Sequence, residues 1–279
     1  MKISKMGMFI AALLLVASVP AAAFDFDKLR SIGEKLKPLR QTSEGDEVTL
    51  GKDVAANLLG AAPLVNDPAL QAYVNKVGMW IALHTTRPNL PWRFGVLDTN
   101  SVNAFATPGG YVFITRGMLM RMRDESELAG VLAHEISHVV EKHALTTMRK
   151  GALVDLASDA LSRNKPEYAK LVSAGTEIFA RGLDKEDEFA ADRMGVVLSA
   201  RAGYDPYGLP ATLQTLSSIN PKDDAVSLMF KTHPDSENRL DLVSNAMEGH
   251  LDQYADQPKV ENRFISIIKS HNSMYNPVK

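Results

Sequence analysis

The chain contains no cysteine. That excludes a disulfide framework, a thiol nucleophile, a cysteine metal ligand and a lipid anchor attached through cysteine. Charge of one sign is not in excess either: 31 Lys and Arg against 33 Asp and Glu leave a formal net charge of -2, and the charges are interspersed. No nucleic-acid partner is expected, because such a surface needs a basic patch or stripe. No internal repeat is visible, so a helical-repeat extension is not expected. Long apolar runs are scarce outside the amino terminus. There, Lys2 and Lys5 precede the run Met8–Val19, and Ala21, Ala22 and Ala23 offer small residues for cleavage before Phe24. Residues 1–23 therefore read as a secretory signal peptide, which predicts a periplasmic mature chain with no membrane span. The alternative, an uncleaved anchor, has an apolar run shorter than the ~20 residues a spanning helix needs.

What remains is 45% hydrophobic and 23% charged overall, enough to bury a sizeable core as one large domain or two small ones. Its most informative unit is the pentad His134-Glu135-Ile136-Ser137-His138. In a helix, residues four apart lie about 40° apart on one face, so His134 and His138 can share one metal ion. Glu135, beside them, can take a proton from a zinc-activated water. A helix is predicted because Asp124 with Glu127 reads as a capping box and Leu128, Val131, Leu132, Ile136 and Val139 recur at helical spacing.

Along the chain, residues 41–47 read as a loop and 53–59 as a short helix. Asp67 to His84 reads as an amphipathic helix, capped by Asp67 with Pro68 in the first turn. Trp92 to Leu97, Val102 to Ala106 and Tyr111 to Thr115 read as strands, the last two joined by a tight turn at Pro108 and Gly109. Helices are expected over Gly151–Leu161, Asp187–Ala200, Gly208–Ser218 and Pro234–Met247. The predicted organisation is a signal peptide (1–23), a helical segment (24–62), a zinc metallopeptidase domain (63–249) and a tail (250–279). The tail is polar apart from one apolar run, Phe264–Ile268.

A catalytic zinc needs a third protein ligand and an open position. Glu141 and Ala144 stand where a metzincin would need glycine and histidine. The remaining common solution draws a glutamate from a second helix, and Glu188-Phe189-Ala190-Ala191-Asp192 supplies one. Glu188 and Asp192 share a helix face, so Glu188 can bind metal while Asp192 accepts the other ring N–H of a ligand histidine. The competing reading makes both part of a solvated acidic run, Asp184–Asp192. His143 lies about half a turn round an extended helix from His134 and is expected to point away as a structural residue. His84, His250 and His271 read as surface or boundary residues.

Asn103 to Tyr111, the pentad with His143 after it, Glu188 with Asp192, and Thr232-His233-Pro234 with Arg239 together resemble the HtpX, Oma and CAAX-prenyl-protease family of gluzincin metallopeptidases, nearest its short exported members. The resemblance covers about Asp67 to Met247. It implies a mainly helical α+β, zincin-like fold with a small sheet beside the motif helix, and one Zn2+ per chain. It further implies that Asn103, Ala104, Phe105 and Ala106 form an edge strand receiving protein substrates in extended form. Such substrates would be unfolded or misassembled envelope proteins, with envelope assembly machinery as a possible partner. His233 and Arg239 can donate charge-assisted hydrogen bonds to an oxyanion, a role the resemblance favours for His233. His233 can also cap the zinc at rest. The alternative function is a chaperone or assembly module with a structural zinc.

Overall fold

The structure, a computed structural model, describes residues 42–158 and 182–270. The signal-peptide reading of residues 1–23, residues 24–41 of the helical segment, residues 159–181 and His271 lie outside the described residues.

Helix α1 (Glu44–Ala61) begins where Ser43 Oγ accepts the Asp46 N–H at 3.1 Å. It starts well before the short helix expected at 53–59, because Ser43 caps it inside a stretch whose polarity reads as a loop. Helix α2 (Pro68–Ala82) is capped as expected: Asp67 Oδ1 accepts from Ala69 and Leu70 N–H, both at 3.0 Å. Strands β1 (Arg93–Leu97), β2 (Ala104–Thr107) and β3 (Tyr111–Thr115) form one sheet in the order β1-β3-β2. β1 runs parallel to β3, with Arg93 opposite Tyr111, and β2 runs antiparallel to it, with Ala104 opposite Ile114. The outer edge of β1 is covered by the Val65 N–H bonded to Val96 O at 2.9 Å. β2 is the other outer strand. The 3-10 turn Pro108–Gly110 joins β2 to β3, and Gly109 there has φ +75, where an added Cβ would lie 2.5 Å from Val48 Cα of α1. Glycine is thus required both by the backbone and by the helix lying over it.

A short helix α3 (Arg116–Leu119) leads to the motif helix α4 (Glu125–Val140), buried on all sides, with Leu128, Leu132 and Ile136 wholly enclosed. Asp124 Oδ1 accepts the Glu127 N–H at 3.0 Å, which is half of the expected capping box. The Glu127 carboxylate instead accepts from Arg123, through its main-chain N–H at 3.0 Å and its Nε at 2.6 Å. After α4 come α5 (His143–Ser158), α6 (Lys185–Arg201), α7 (Gly208–Ser217), α8 (Asp224–Thr232), α9 (Ser236–Met247) and α10 (Glu261–Ser270). α4 packs against α2, β2, α6 and α7. None of the described helices is long and apolar enough to cross a membrane.

Neither α8 nor α10 stands out in the sequence as a helix. α10 nevertheless docks on the start of α4: Phe264 is buried in the main core, and the Arg263 guanidinium forms an ion pair with Glu125, its Nε 2.6 Å from Oε2. Glu125 is fully enclosed and also accepts from Tyr73 and Tyr204 hydroxyls, each at 2.8 Å. Burial and this carboxylate keep both phenols protonated. Removing one partner of such a pair strands the other charge. Arg263 is itself more than half exposed, so water can replace part of it. Arg263→Met is therefore expected to cost about 2 kcal/mol and to lower the melting temperature by roughly 4–8 °C. Glu125→Gln added to it should recover part of the loss in a thermal melt.

Candidate metal centre

Helical spacing on α4 sets His134 directly beside His138: the rings are 4.6 Å apart and meet edge-on, with Nε2 facing Nε2 at 3.0 Å. α6 crosses α4 at this level because Gly195 has no side chain; a Cβ there would come 3.1 Å from His134 N. The crossing brings Glu188 and Asp192 against the two rings, both buried, so they do not form a solvated acidic run. At the junction of α8 and α9, Asp235 adopts φ +67 and turns the chain, delivering His233 on one side and Arg239 on the other. His134, His138, Glu188 and His233 each offer a ligand atom, all within 4.8 Å of one another.

The donor set fits a metal ion on its own terms. Glu188 Oε1 is buried without a hydrogen-bond partner and lies 3.4 Å from His138 Nε2. His134 Nε2 lies 3.6 Å from the other oxygen, Oε2. An orphaned carboxylate oxygen among imidazole nitrogens is a costly arrangement unless a cation lies among them. Imidazole and carboxylate donors in this number suit one zinc ion. The far nitrogens of both rings are also engaged. His134 Nδ1 is 2.9 Å from Asp192 Oδ1, and His138 Nδ1 is 2.9 Å from His143 Nδ1.

One expectation changes here, and two further residues have side-chain partners that the sequence does not show. His143 does not point away: α4 ends at Val140, Lys142 adopts φ +59, and His143 opens α5 folded back against His138. The helical-wheel reading fails because it extends α4 past its end. Arg239 already has partners inside the cluster. Its Nε and Nη2 clasp Asp192 at 2.7 Å each and its Nη1 reaches Glu188 Oε2 at 2.8 Å, so the guanidinium is taken up by two carboxylates. Asn103 is turned inward as well: Oδ1 accepts the Ala104 N–H at 3.0 Å and Nδ2 donates to Thr232 Oγ1 at 3.2 Å, fastening β2 to the end of α8. Ala104, Phe105 and Ala106 do line a groove together with Glu135, His138 and His233. His233 Nε2 stands 3.4 Å from Ala104 O and 3.8 Å from Glu135 Oε1.

Burial pushes the Glu135 carboxyl above its ordinary value against the opposing pull of His233 and His134. Burial also acts on Glu188, but the facing His233 and Arg239 charges outweigh it and hold that carboxyl well below the usual range. For Asp192 the same contest is decided by Arg239, which brings it to about 2. Burial, then the neighbouring His134 ring, holds His138 well below the ordinary imidazole value, so it is neutral and ready to donate a lone pair. Burial works against the His233 imidazolium, yet Glu188 and Glu135 push it up to about 9. A divalent ion held among these groups would take over that compensating charge.

Residues 68–247 match the profile of peptidase family M48. The chain belongs to that family. It is 31% identical over 242 residues to the beta-barrel assembly-enhancing protease of Escherichia coli (strain K12), covering 83% of this chain and 49% of that one. It is 29% identical over 171 residues to the mitochondrial metalloendopeptidase OMA1 of Arabidopsis thaliana, covering 60% and 34%. Metalloprotease YcaL of Escherichia coli (strain K12) is 32% identical over 160 residues, covering 55% and 61%. The chain spans about half the length of the beta-barrel assembly-enhancing proteases it matches. The M48 span holds all four clustered residues together with Asp192 and Arg239, and leaves α1 and α10 outside it.

If Glu188 is a ligand and Asp192 orients one, their removal has unequal effects. Glu188→Ala should abolish zinc binding, whereas Asp192→Ala should weaken it by roughly ten- to a hundred-fold. Elemental analysis and chelator competition read both, and normal zinc content in Glu188→Ala would reassign the third ligand.

Proposed function

We propose that the chain is a zinc-dependent endopeptidase acting on unfolded or misassembled proteins of the cell envelope. The observation that carries the reading is the partnerless Glu188 Oε1 facing His138 Nε2, with His134 Nε2 3.6 Å from the other oxygen of the same carboxylate and Glu135 lining the adjoining groove. Zinc bound by His134, His138 and Glu188 supplies a Lewis acid that acidifies water and polarises a peptide carbonyl. Glu135 takes the proton of the attacking water and passes it to the departing amine; its burial, by raising its proton affinity, suits it to both transfers. Ala104 and Ala106 lie on an outer strand beside the groove, where main-chain pairing would hold a peptide in extended form with little demand on its sequence. That favours chains without their own tertiary structure. Asp192 and Arg239 hold the ligands.

The envelope setting is supported by the leader-like pattern of residues 1–23 and by the similarity to a beta-barrel assembly-enhancing protease. On this reading the mature chain begins near Phe24 and works in the periplasm. His233 would cap the metal at rest: its Nδ1 lies 3.0 Å from Glu188 Oε2, inside the ligand cluster, and an enzyme loose among envelope proteins gains from being idle by default. A cap of this kind also resembles a closed structural site, which is the reading of a chaperone with structural zinc. Glu135 separates the two, because a structural site has no use for it.

Mature protein recovered from the periplasmic fraction should carry about one zinc per chain and digest casein. Glu135→Gln should keep the zinc and lose nearly all proteolysis; full activity in that variant would sink the peptidase mechanism. Assayed beside it, His233→Ala should show raised basal or self-cleaving activity. A roughly hundred-fold fall in kcat at unchanged KM would instead make His233 an oxyanion donor.

A further inference from the structure

His138 presents Nε2 to the ligand cluster, 3.0 Å from His134 Nε2 and 3.4 Å from Glu188 Oε1. A neutral imidazole that gives the Nε2 lone pair to a cation carries its proton on Nδ1. That proton points at His143 Nδ1, 2.9 Å away, so the His143 nitrogen is the acceptor. Its own proton then sits on Nε2, which faces Asp187 Oδ1 at 3.6 Å. His143 is buried, its ring 5.1 Å from that of His138 and steeply inclined to it at 71°. The left-handed Lys142, a conformation with a steric cost for any residue bearing a Cβ, is what turns α5 back so that the contact forms.

We propose that His143 is a positioning residue of the metal centre: by accepting the Nδ1 proton of His138 it fixes the tautomer and ring plane of that ligand, with Asp187 polarising it from behind. The inference rests on the metal-site reading above. The centre then has two unequal supports. Asp192 holds His134 with a full charge clasped by Arg239, whereas a neutral imidazole holds His138, backed by a half-buried carboxylate at longer range. The His138 side is the looser one, and losing its support costs less than losing Asp192.

The test compares the full chain with His143→Ala, His143→Gln and Asp187→Asn, by zinc competition against a chelating dye and by the visible spectrum of the cobalt-substituted protein. His143→Ala should bind zinc about ten-fold more weakly, at the lower end of losses at such outer positions, and its cobalt bands should shift. His143→Gln keeps a carbonyl able to accept from His138 and should return both readouts most of the way. Asp187→Asn should give a smaller loss of a few-fold. Wild-type affinity and spectrum in His143→Ala would overturn the proposal, as would equal losses in the Ala and Gln variants, which would reduce His143 to packing. Should the Ala variant not fold, the Asp187→Asn result decides: an unchanged affinity overturns the relay. A wild-type chain that binds no zinc overturns the metal-site reading and this inference together, whereas zinc bound equally by wild type and variants overturns this inference alone.

Discussion

Three carboxylates, Glu135, Glu188 and Asp192, are buried within one small region, and Arg239, with His233 beside Glu188, supplies the charge that makes this tolerable. An isolated buried carboxylate costs several kcal/mol, so three together require compensation in place before any substrate arrives. Arg239 neutralises Asp192 with two short hydrogen bonds and reaches one oxygen of Glu188. It leaves the other oxygen open toward the histidines. The deficit that remains is local and directional. It points at the place where a cation belongs.

The surrounding architecture serves that convergence. Gly195 lets α6 come close enough to α4 for Glu188 to reach the rings, and the turn at Asp235 lets one short junction provide both His233 and Arg239. Asn103 ties β2 to the end of α8, so the outer strand of the groove and the His233 position are fastened to each other. The start of α4 is held by a second buried carboxylate, Glu125, whose partners come from α2, α10 and the segment after α6. The motif helix is thus gripped at its first turn by a polar cluster and at its last turns by the ligand cluster, with apolar packing between. Such a helix can hold donor atoms within fractions of an ångström, which metal affinity demands.

The M48 match ends at 247, short of α10, and begins at 68, after α1. Both outlying helices nonetheless contact the centre of the fold. α1 covers the Pro108 turn, where Glu47 accepts the Gly109 N–H at 3.2 Å and pairs with Arg87 at 2.9 Å. Arg87 in turn donates to Val139 O at the end of α4, 3.1 Å away. The family's span holds the chemistry, and these helices brace the helix that carries it.

The pentad and the Glu188–Asp192 pair were legible because both depend only on helical period: four residues on is the same face, whatever the helix packs against. Asp67 before Pro68 and the three strands were legible for the same local reason. Where local signals conflict or are absent, only the tertiary structure decided. Polarity around residue 44 reads as loop, yet Ser43 caps a helix there; α8 and α10 become clear only against the core they cover. His143 was misplaced because a lysine in a left-handed turn leaves no mark in composition, and the carboxylates that Arg239 clasps were not legible because an arginine's partners cannot be read from its own helix. Period is a property of the backbone and travels with the sequence, but the partner of a buried charge is set by which helices meet, and that meeting exists only once the chain has folded.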